Sequence, residues 1–187
     1  MSGLPLLSER LRLDPLRPDD AAALFAYRSD PEVSRYQGWK LPVTRDDIDA
    51  FIQANAEVRL GQRDTWSQLA MRPRDGATLL GDVGLHFTAN KDEAELGVTV
   101  APAHQGKGYA TEALRTVLEL LFGPLAQHRV FGSVDPRNTA SVRLLEAIGM
   151  RQEAHFRQSL WSRGEWVDDL IYAMLRDEWL ESSGNRP

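Results

Sequence analysis

The stretch from Ala110 to Phe122 constrains the fold more than any other part of the chain. Ala110, Ala113, Leu114, Val117, Leu118, Leu121 and Phe122 recur at three-and-four spacing, which places them on one face of a helix. A face of that width is stable only when a second apolar surface covers it, so the remaining chain must build a layer against it. Gly123-Pro124 ends the helix.

The flanking segments predict that layer to be a sheet. "ERLRLDPL" alternates around Leu11 and Leu13, and Pro18, Asp19 and Asp20 then start a helix through "AAALFAYR". "DPEVSRYQGWKLP" reads as a short helical turn and a loop. A second long helix has Thr44 as N-cap, Asp46 and Asp47 in its first turn, Ile48, Phe51 and Ile52 on its apolar face, and Gly61 as its stop. "TWSQLAM", "TLLGDVGLHF" and "AELGVTVA" form an antiparallel meander turning at "RDG" and "TANKDE". After the central helix come the strand "HRVFGSVD", a helix from Asn138 to a stop at Gly149, and a hairpin turning at "SRGEW". The order β-α-α-β-β-β-α-β-α-β-β predicts an α/β fold with a sheet of mixed direction.

Length and composition limit what such a fold does. The 187 residues, 42% of them hydrophobic, are enough for one globular domain with a real core, and residues 182–187 read as a frayed tail. A net charge of -5 with no long basic run argues against a nucleic-acid partner and tolerates a cationic substrate. The chain has no cysteine, which excludes disulfides, thiolate metal sites and a cysteine nucleophile. Neither a secretory h-region nor a span approaching ~18 apolar residues is present, so the expectation is a soluble cytoplasmic protein without membrane contact.

The helix is preceded by "AHQGKGYATEAL", which carries glycines where a helix N-terminus meets a loop. A Walker A loop requires Ser or Thr after its Gly-Lys pair, and here Gly108 follows Lys107. A dinucleotide fingerprint requires a small third residue, and the chain offers Thr111. What remains is Gln105-Gly106-Lys107-Gly108-Tyr109-Ala110, a Q-x-x-G-x-A turn whose backbone N–H groups can converge on an anion without a metal. A glycine-rich helix start holding no ligand is the plain alternative.

The strand "AELGVTVAP", the turn "QGKGYATEAL" and the later "VDPRNTASVRLLEAIGM" together resemble the acetyl-CoA-binding core of the GNAT superfamily of N-acetyltransferases. The opening "SERLRLDPLRPDDAAALF" and the closing "DDLIYAMLRDEW" are similar to the branch that acetylates the amino termini of ribosomal proteins, so the resemblance covers nearly the whole chain. It implies a GNAT-like, mostly antiparallel sheet with a central splayed strand pair and flanking helices. It also implies acetyl-CoA as acetyl donor, with Gln105, Gly106, Lys107, Gly108, Tyr109, Ala110 and Thr111 around the pyrophosphate. Val98, Thr99 and Val100 match the strand that pairs with the pantetheine arm, and Asn138 and Ser141 match contacts nearer the thiol. Asn138 is equally an ordinary helix N-cap. Homodimers are frequent in the resembled branch.

Acetyl transfer from a thioester to an amine needs a neutral amine, an oxyanion donor and a proton for the departing thiolate. A backbone N–H at Val98 or Val100 suits the oxyanion. Relatives place a tyrosine in the helix after the fifth strand as proton donor; this chain has none there, which makes Ser141 the candidate, directly or through water. Glu95 matches a position that carries a catalytic carboxylate in several relatives, and His86 has a suitable intrinsic pKa as an alternative base. Tyr36, Trp39 and His86 are the candidate acceptor-binding residues. Trp161 and Trp166 flank the final turn as a possible opposite wall, and Asp168 and Asp169 either attract a cationic amine or face water. An α-amine of pKa about 7.7 to 8.0 is roughly 15% neutral at pH 7, against about 0.04% for a lysine amine. The acceptor so implied is the α-amine of a protein amino terminus, with a small amine such as a polyamine, antibiotic or amino acid as the alternative. A non-catalytic acyl-CoA-binding module is the third reading.

Overall fold

The computed structural model describes residues 4–184. One eight-stranded sheet runs through it in the order β1-β2-β3-β4-β5-β6-β8-β7. The strands are β1 (Leu6–Leu7), β2 (Leu11–Pro15), β3 (Thr65–Pro73), β4 (Gly81–Phe87), β5 (Glu93–Val100), β6 (Arg129–Val134), β7 (Arg151–Ser162) and β8 (Glu165–Leu175). All neighbours are antiparallel except β5 and β6. The helices are α1 (Ala21–Arg28), α2 (Pro31–Ser34), α3 (Arg45–Glu57), α4 (Tyr109–Phe122), α5 (Thr139–Ala147) and α6 (Arg176–Gly184). This is the mixed, mostly antiparallel α/β architecture that the sequence predicts.

The two-residue period of the strands sorts their side chains into two layers. Leu11, Leu13, Leu69, Met71, Val83, Leu85, Leu96, Val130, Leu170 and Tyr172 face α4 and α5, where Leu114, Val117, Leu118, Leu121 and Leu145 close the larger core. The predicted face of α4 is buried from Ala113 onward, with Leu120 added to it. On the opposite face, α1 and α3 cover the β3 side of the sheet through Leu24, Tyr27, Ile48, Ile52 and Ala70. Part of the site lies on that second face beyond β4, where Glu95, Ser133 and Asp169 line a cavity.

Three boundaries differ from the sequence reading. α3 ends at Glu57, with Val58 extended as C-cap, and Gly61 belongs to the following turn at φ 89°. The end is set by Asn55, whose Nδ2 donates to the Phe51 carbonyl while its Oδ1 accepts the Gln68 N–H of β3. β1 is a two-residue strand too short for alternation to reveal. Residues 182–184 of the expected frayed tail belong to α6, which runs through Gly184. Trp179, 5% exposed and 5.9 Å from the Phe122 ring, anchors that helix. Residues 185–187 lie outside the described residues.

A buried polar cluster joins α1 to β4. The Tyr27 hydroxyl donates to Asp82 Oδ1 at 2.5 Å, and Arg28 Nη2 donates to Oδ2 at 3.2 Å. Burial pushes the Asp82 carboxyl above its ordinary pKa, an effect that Arg28 opposes. Replacing Tyr27 with phenylalanine leaves a buried acceptor without its donor, and should cost about 1–3 kcal/mol in a urea unfolding curve. A loss below the error of that curve would show that Asp82 finds another donor.

Candidate active site

The sheet opens at β5 and β6, the only parallel pair among the described residues. β5 and β6 are in register at Glu93/Arg129, Ala94/Val130 and Glu95/Phe131, and pairing stops there although β5 continues to Val100 and β6 to Val134. Backbone groups alternate sides along a strand. Glu93 C=O accepts Thr88 N–H and Ala101 N–H donates to Leu80 C=O, so the odd-numbered residues of β5 bond toward β4. The even-numbered ones, Leu96, Val98 and Val100, therefore turn their N–H and C=O toward the gap. Gln105 Nε2 donates to the Val100 carbonyl at 3.0 Å, which leaves Val98 as the open strand edge. Thr99, named with its neighbours from the sequence, points the other way: its backbone faces β4 and its side chain is 7% exposed.

At the end of β5 the chain enters the glycine turn. Gly106 at φ 72° and Gly108 at φ 79° occupy the left-handed region, and Gly108 is the N-cap of α4 with no side-chain cap. Among the described residues, the N–H groups of Gly106, Lys107, Gly108, Tyr109, Ala110 and Thr111 have no hydrogen-bond acceptor. A row of exposed donors at the positive end of a 14-residue helix fits a diphosphate. Lys107 bends back so that Nζ donates to the Ala103 carbonyl at 2.8 Å. Arg10, which the sequence did not single out, lies beside the turn: its Nη1 donates to the Lys107 carbonyl, and it pairs with Glu112 at 2.7 Å.

A cavity of about 780 Å³ passes through the gap and joins both faces of the sheet. On the α4–α5 side its walls include Val98, Leu114, Asn138, Ser141 and Leu144; on the other side they include Glu95, Trp66, Ser133 and Asp169. Asn138 serves as the N-cap of α5, its Oδ1 accepting the Ser141 N–H at 3.2 Å, so the cap fixes the start of the helix that carries Ser141 into the wall. The roof joins two distant segments. Arg163 at the β7–β8 turn donates from Nη2 to the carbonyls of Ser34 and Gln37, at 2.7 and 2.9 Å, and so ties the hairpin to the segment that carries Tyr36.

Charge in this cavity is unevenly compensated. Arg137 is taken up by Asp135 and Glu165 at 2.7 and 2.8 Å. Asp168 is taken up by His155 Nε2 at 2.7 Å and by the Gln158 N–H. Glu95 has no cation in hydrogen-bond range; His86 Nδ1 is 3.9 Å away. Burial first, then the charges of Asp169 and Glu93, raise the Glu95 carboxyl above its ordinary pKa.

The structure thus brings together Glu95, Val98, Asn138, Ser141 and Tyr36 with Trp161 and the paired aspartates, and leaves others outside. Trp39 belongs to the α1 packing, with its Nε1 on the Arg28 carbonyl and the Arg28 guanidinium 4.7 Å from its ring. His86 stands behind the wall, stacked on Trp66 at 5.2 Å. Trp166 meets Trp161 edge-on and is itself 57% exposed. Neither Asp168 nor Asp169 simply faces water. Trp66, Ser133 and Arg163 were missed. Adjacent aspartates in the apolar strand "EWVDDLIYAML" carried a signal, because consecutive strand residues face opposite sides and one of the two had to point inward.

Comparison with known proteins agrees with this geometry. The family described as the Acetyltransferase (GNAT) domain matches residues 10–151. The N-acetyltransferase YnaD of Bacillus subtilis is 30% identical, over 93% of this chain and 98% of its own. YoaA of the same organism is 32% identical, over 92% and 97%. A GNAT-family acetyltransferase of Bacillus anthracis superposes with a TM-score of 0.81 at 28% identity, over 92% of this chain and 99% of that one. The chain belongs to the GNAT family and is an acetyl-CoA-dependent N-acetyltransferase.

Proposed function

We propose that this chain, acting as one catalytic domain, transfers the acetyl group of acetyl-CoA to the α-amine of a protein amino terminus by direct attack in a ternary complex. The through-sheet cavity carries the reading: a donor entering beside α4 and α5 and an amine entering beside Glu95 meet at the free edge of Val98. The donor supplies an activated thioester carbonyl. Gly106 to Thr111 hold its pyrophosphate by backbone N–H groups, and the Val98 backbone pairs with its pantetheine arm. The Val98 N–H steadies the carbonyl oxygen as charge develops. Glu95 takes one ammonium proton, the freed electron pair of nitrogen forms the new C–N bond, and the C–S bond breaks; the second proton lost from nitrogen passes through water to the Ser141 oxygen as the Ser141 hydroxyl proton, directly or through water, goes to sulfur.

A cavity of about 780 Å³ has room for the reacting end of the donor and a terminal residue or small amine, not for a folded partner. The Arg163 tie, which closes the roof, favours a second reading in which the acceptor is a small cationic amine. Thiol release from acetyl-CoA across amino-terminal peptides, amino-blocked lysine peptides and small amines separates the two readings. Preference for the unblocked peptides supports the first, and turnover only with small amines overturns it.

If Ser141 protonates the thiolate, Ser141→Ala should lower kcat about tenfold or more with little change in acetyl-CoA affinity, since the lost contact belongs to the transition state. An unchanged rate in a chemistry-limited assay would leave water as the donor.

A further inference from the structure

Asp169 differs from every other carboxylate in the cavity. It lies on β8, faces the same side of the sheet as Glu95, and is 8% exposed. Its Oδ1 accepts the Ser133 hydroxyl at 2.6 Å, and among the described residues no arginine, lysine or histidine pairs with it. Asp135, Glu165 and Asp168 each have a cationic or histidine partner within hydrogen-bond range, Glu95 has only His86 Nδ1 at 3.9 Å, and Asp169 has none among the described residues. Burying a carboxylate whose partner is only a neutral hydroxyl carries a desolvation cost, which an incoming cation offsets.

We propose that Asp169, oriented by Ser133, and Glu95 form a two-carboxylate seat for the acceptor's ammonium group, in which Asp169 binds the cation and Glu95 removes its proton. This inference rests on the acceptor-side assignment made above. The proton passes from nitrogen to a Glu95 oxygen, and the amine so released is already placed at the gap. The division of labour follows from geometry. Glu95 belongs to β5, whose Val98 edge meets the thioester, whereas Asp169 belongs to β8, on the far side of β6. The titratable groups around Glu95 are His86 on β4, Glu93 on its own strand and Asp169 on β8, and Arg129 of β6 is already engaged with Glu93 and Glu153. Asp169 therefore also favours protonation of Glu95, which suits a group that must accept a proton.

Propylammonium chloride, titrated at constant ionic strength into protein labelled with ¹³C at its carboxyl groups, tests this without acetyl-CoA or turnover. Both the Glu95 and Asp169 resonances should move in wild type, and neutral propanol should move neither. In Asp169→Asn the propylammonium affinity should fall at least tenfold, and the Glu95 titration should shift to lower pH because a neighbouring negative charge has gone. Ser133→Ala should weaken binding in the same direction, by less. Should Asp169→Asn fail to fold, the wild-type titration alone decides. Propylammonium that moves neither resonance, or that binds Asp169→Asn as well as wild type, overturns the proposal. A protein that seats the cation yet acetylates no amine would retain this inference and lose the proposed function.

Discussion

Replacing Gly108 with valine should weaken acetyl-CoA binding about a hundredfold or more while the protein stays folded. Gly108 sits at φ 79°, a conformation that costs an ordinary L-residue roughly 1–2 kcal/mol and a β-branched one more. The turn must leave this conformation to relieve the strain, and the unpaired N–H groups from Gly106 to Thr111 then cease to converge. A Cβ at 108 would also lie 3.4 Å from Arg10 Nη2, in contact with the guanidinium that braces the turn through the Lys107 carbonyl. The loss thus comes from a distorted backbone cradle more than from filling the phosphate path. Gly106→Ala is the graded control: its φ is 72°, but a Cβ there meets nothing within 4 Å, so strain acts alone and the loss should be smaller. Calorimetry with folded Gly108→Val protein gives the answer. Unaltered affinity would remove this turn as the pyrophosphate site.

Glu95→Gln should lower kcat/KM about a hundredfold between the Glu95 pKa and that of the amine, with part of the loss recovered as pH rises further. Burial and the charges of Asp169 and Glu93 raise the Glu95 pKa, so wild-type activity should climb through an apparent pKa above the ordinary carboxylate range as the base ionises. Glutamine removes that limb. The remaining rate then follows the fraction of acceptor that is already neutral, which increases with pH. Recovery should begin about 2.5 pH units lower for an α-amine than for a lysine amine, because their ordinary pKa values differ by that amount. Rate profiles with an amino-terminal peptide and a matched amino-blocked lysine peptide measure both effects. Equal activity of variant and wild type at every pH, with chemistry limiting, would reduce Glu95 to a strand carboxylate without a catalytic part.

Much of this site is local in sequence, and that part is legible there. The turn Gln105–Ala110 lies directly at a helix start, and Asn138 and Ser141 are held by one cap; the residues themselves give the turn and the cap, and the family resemblance gives the roles of Asn138 and Ser141. The rest depends on contacts that adjacent residues do not reveal. Trp39 and Tyr36 stand three apart in one loop, yet Tyr36 reaches the cavity and Trp39 turns to the Arg28 guanidinium. His86 and Glu95 are cross-strand partners, yet Glu95 opens to the cavity and His86 stacks behind Trp66. Thr99 follows Val98 by one residue and so faces the opposite side, a consequence of strand period that the motif match did not apply. Ser133 and Asp169 are 36 residues apart in sequence, and only the β6–β8 pairing brings them together. α6 escaped notice because its anchor is a single buried tryptophan, without the repeated apolar face that marks α4.

The most direct test of the account follows the backbone amide resonances of ¹⁵N-labelled protein as CoA is added. The central claim is that the cofactor occupies the β5–β6 gap with its pyrophosphate on the start of α4. The account predicts that the amides of Gly106 to Thr111 and of Val98 shift together and saturate at one affinity, while Thr99, whose N–H is committed to β4, moves far less. Saturable binding that leaves Gly106 to Thr111 and Val98 unmoved would contradict it.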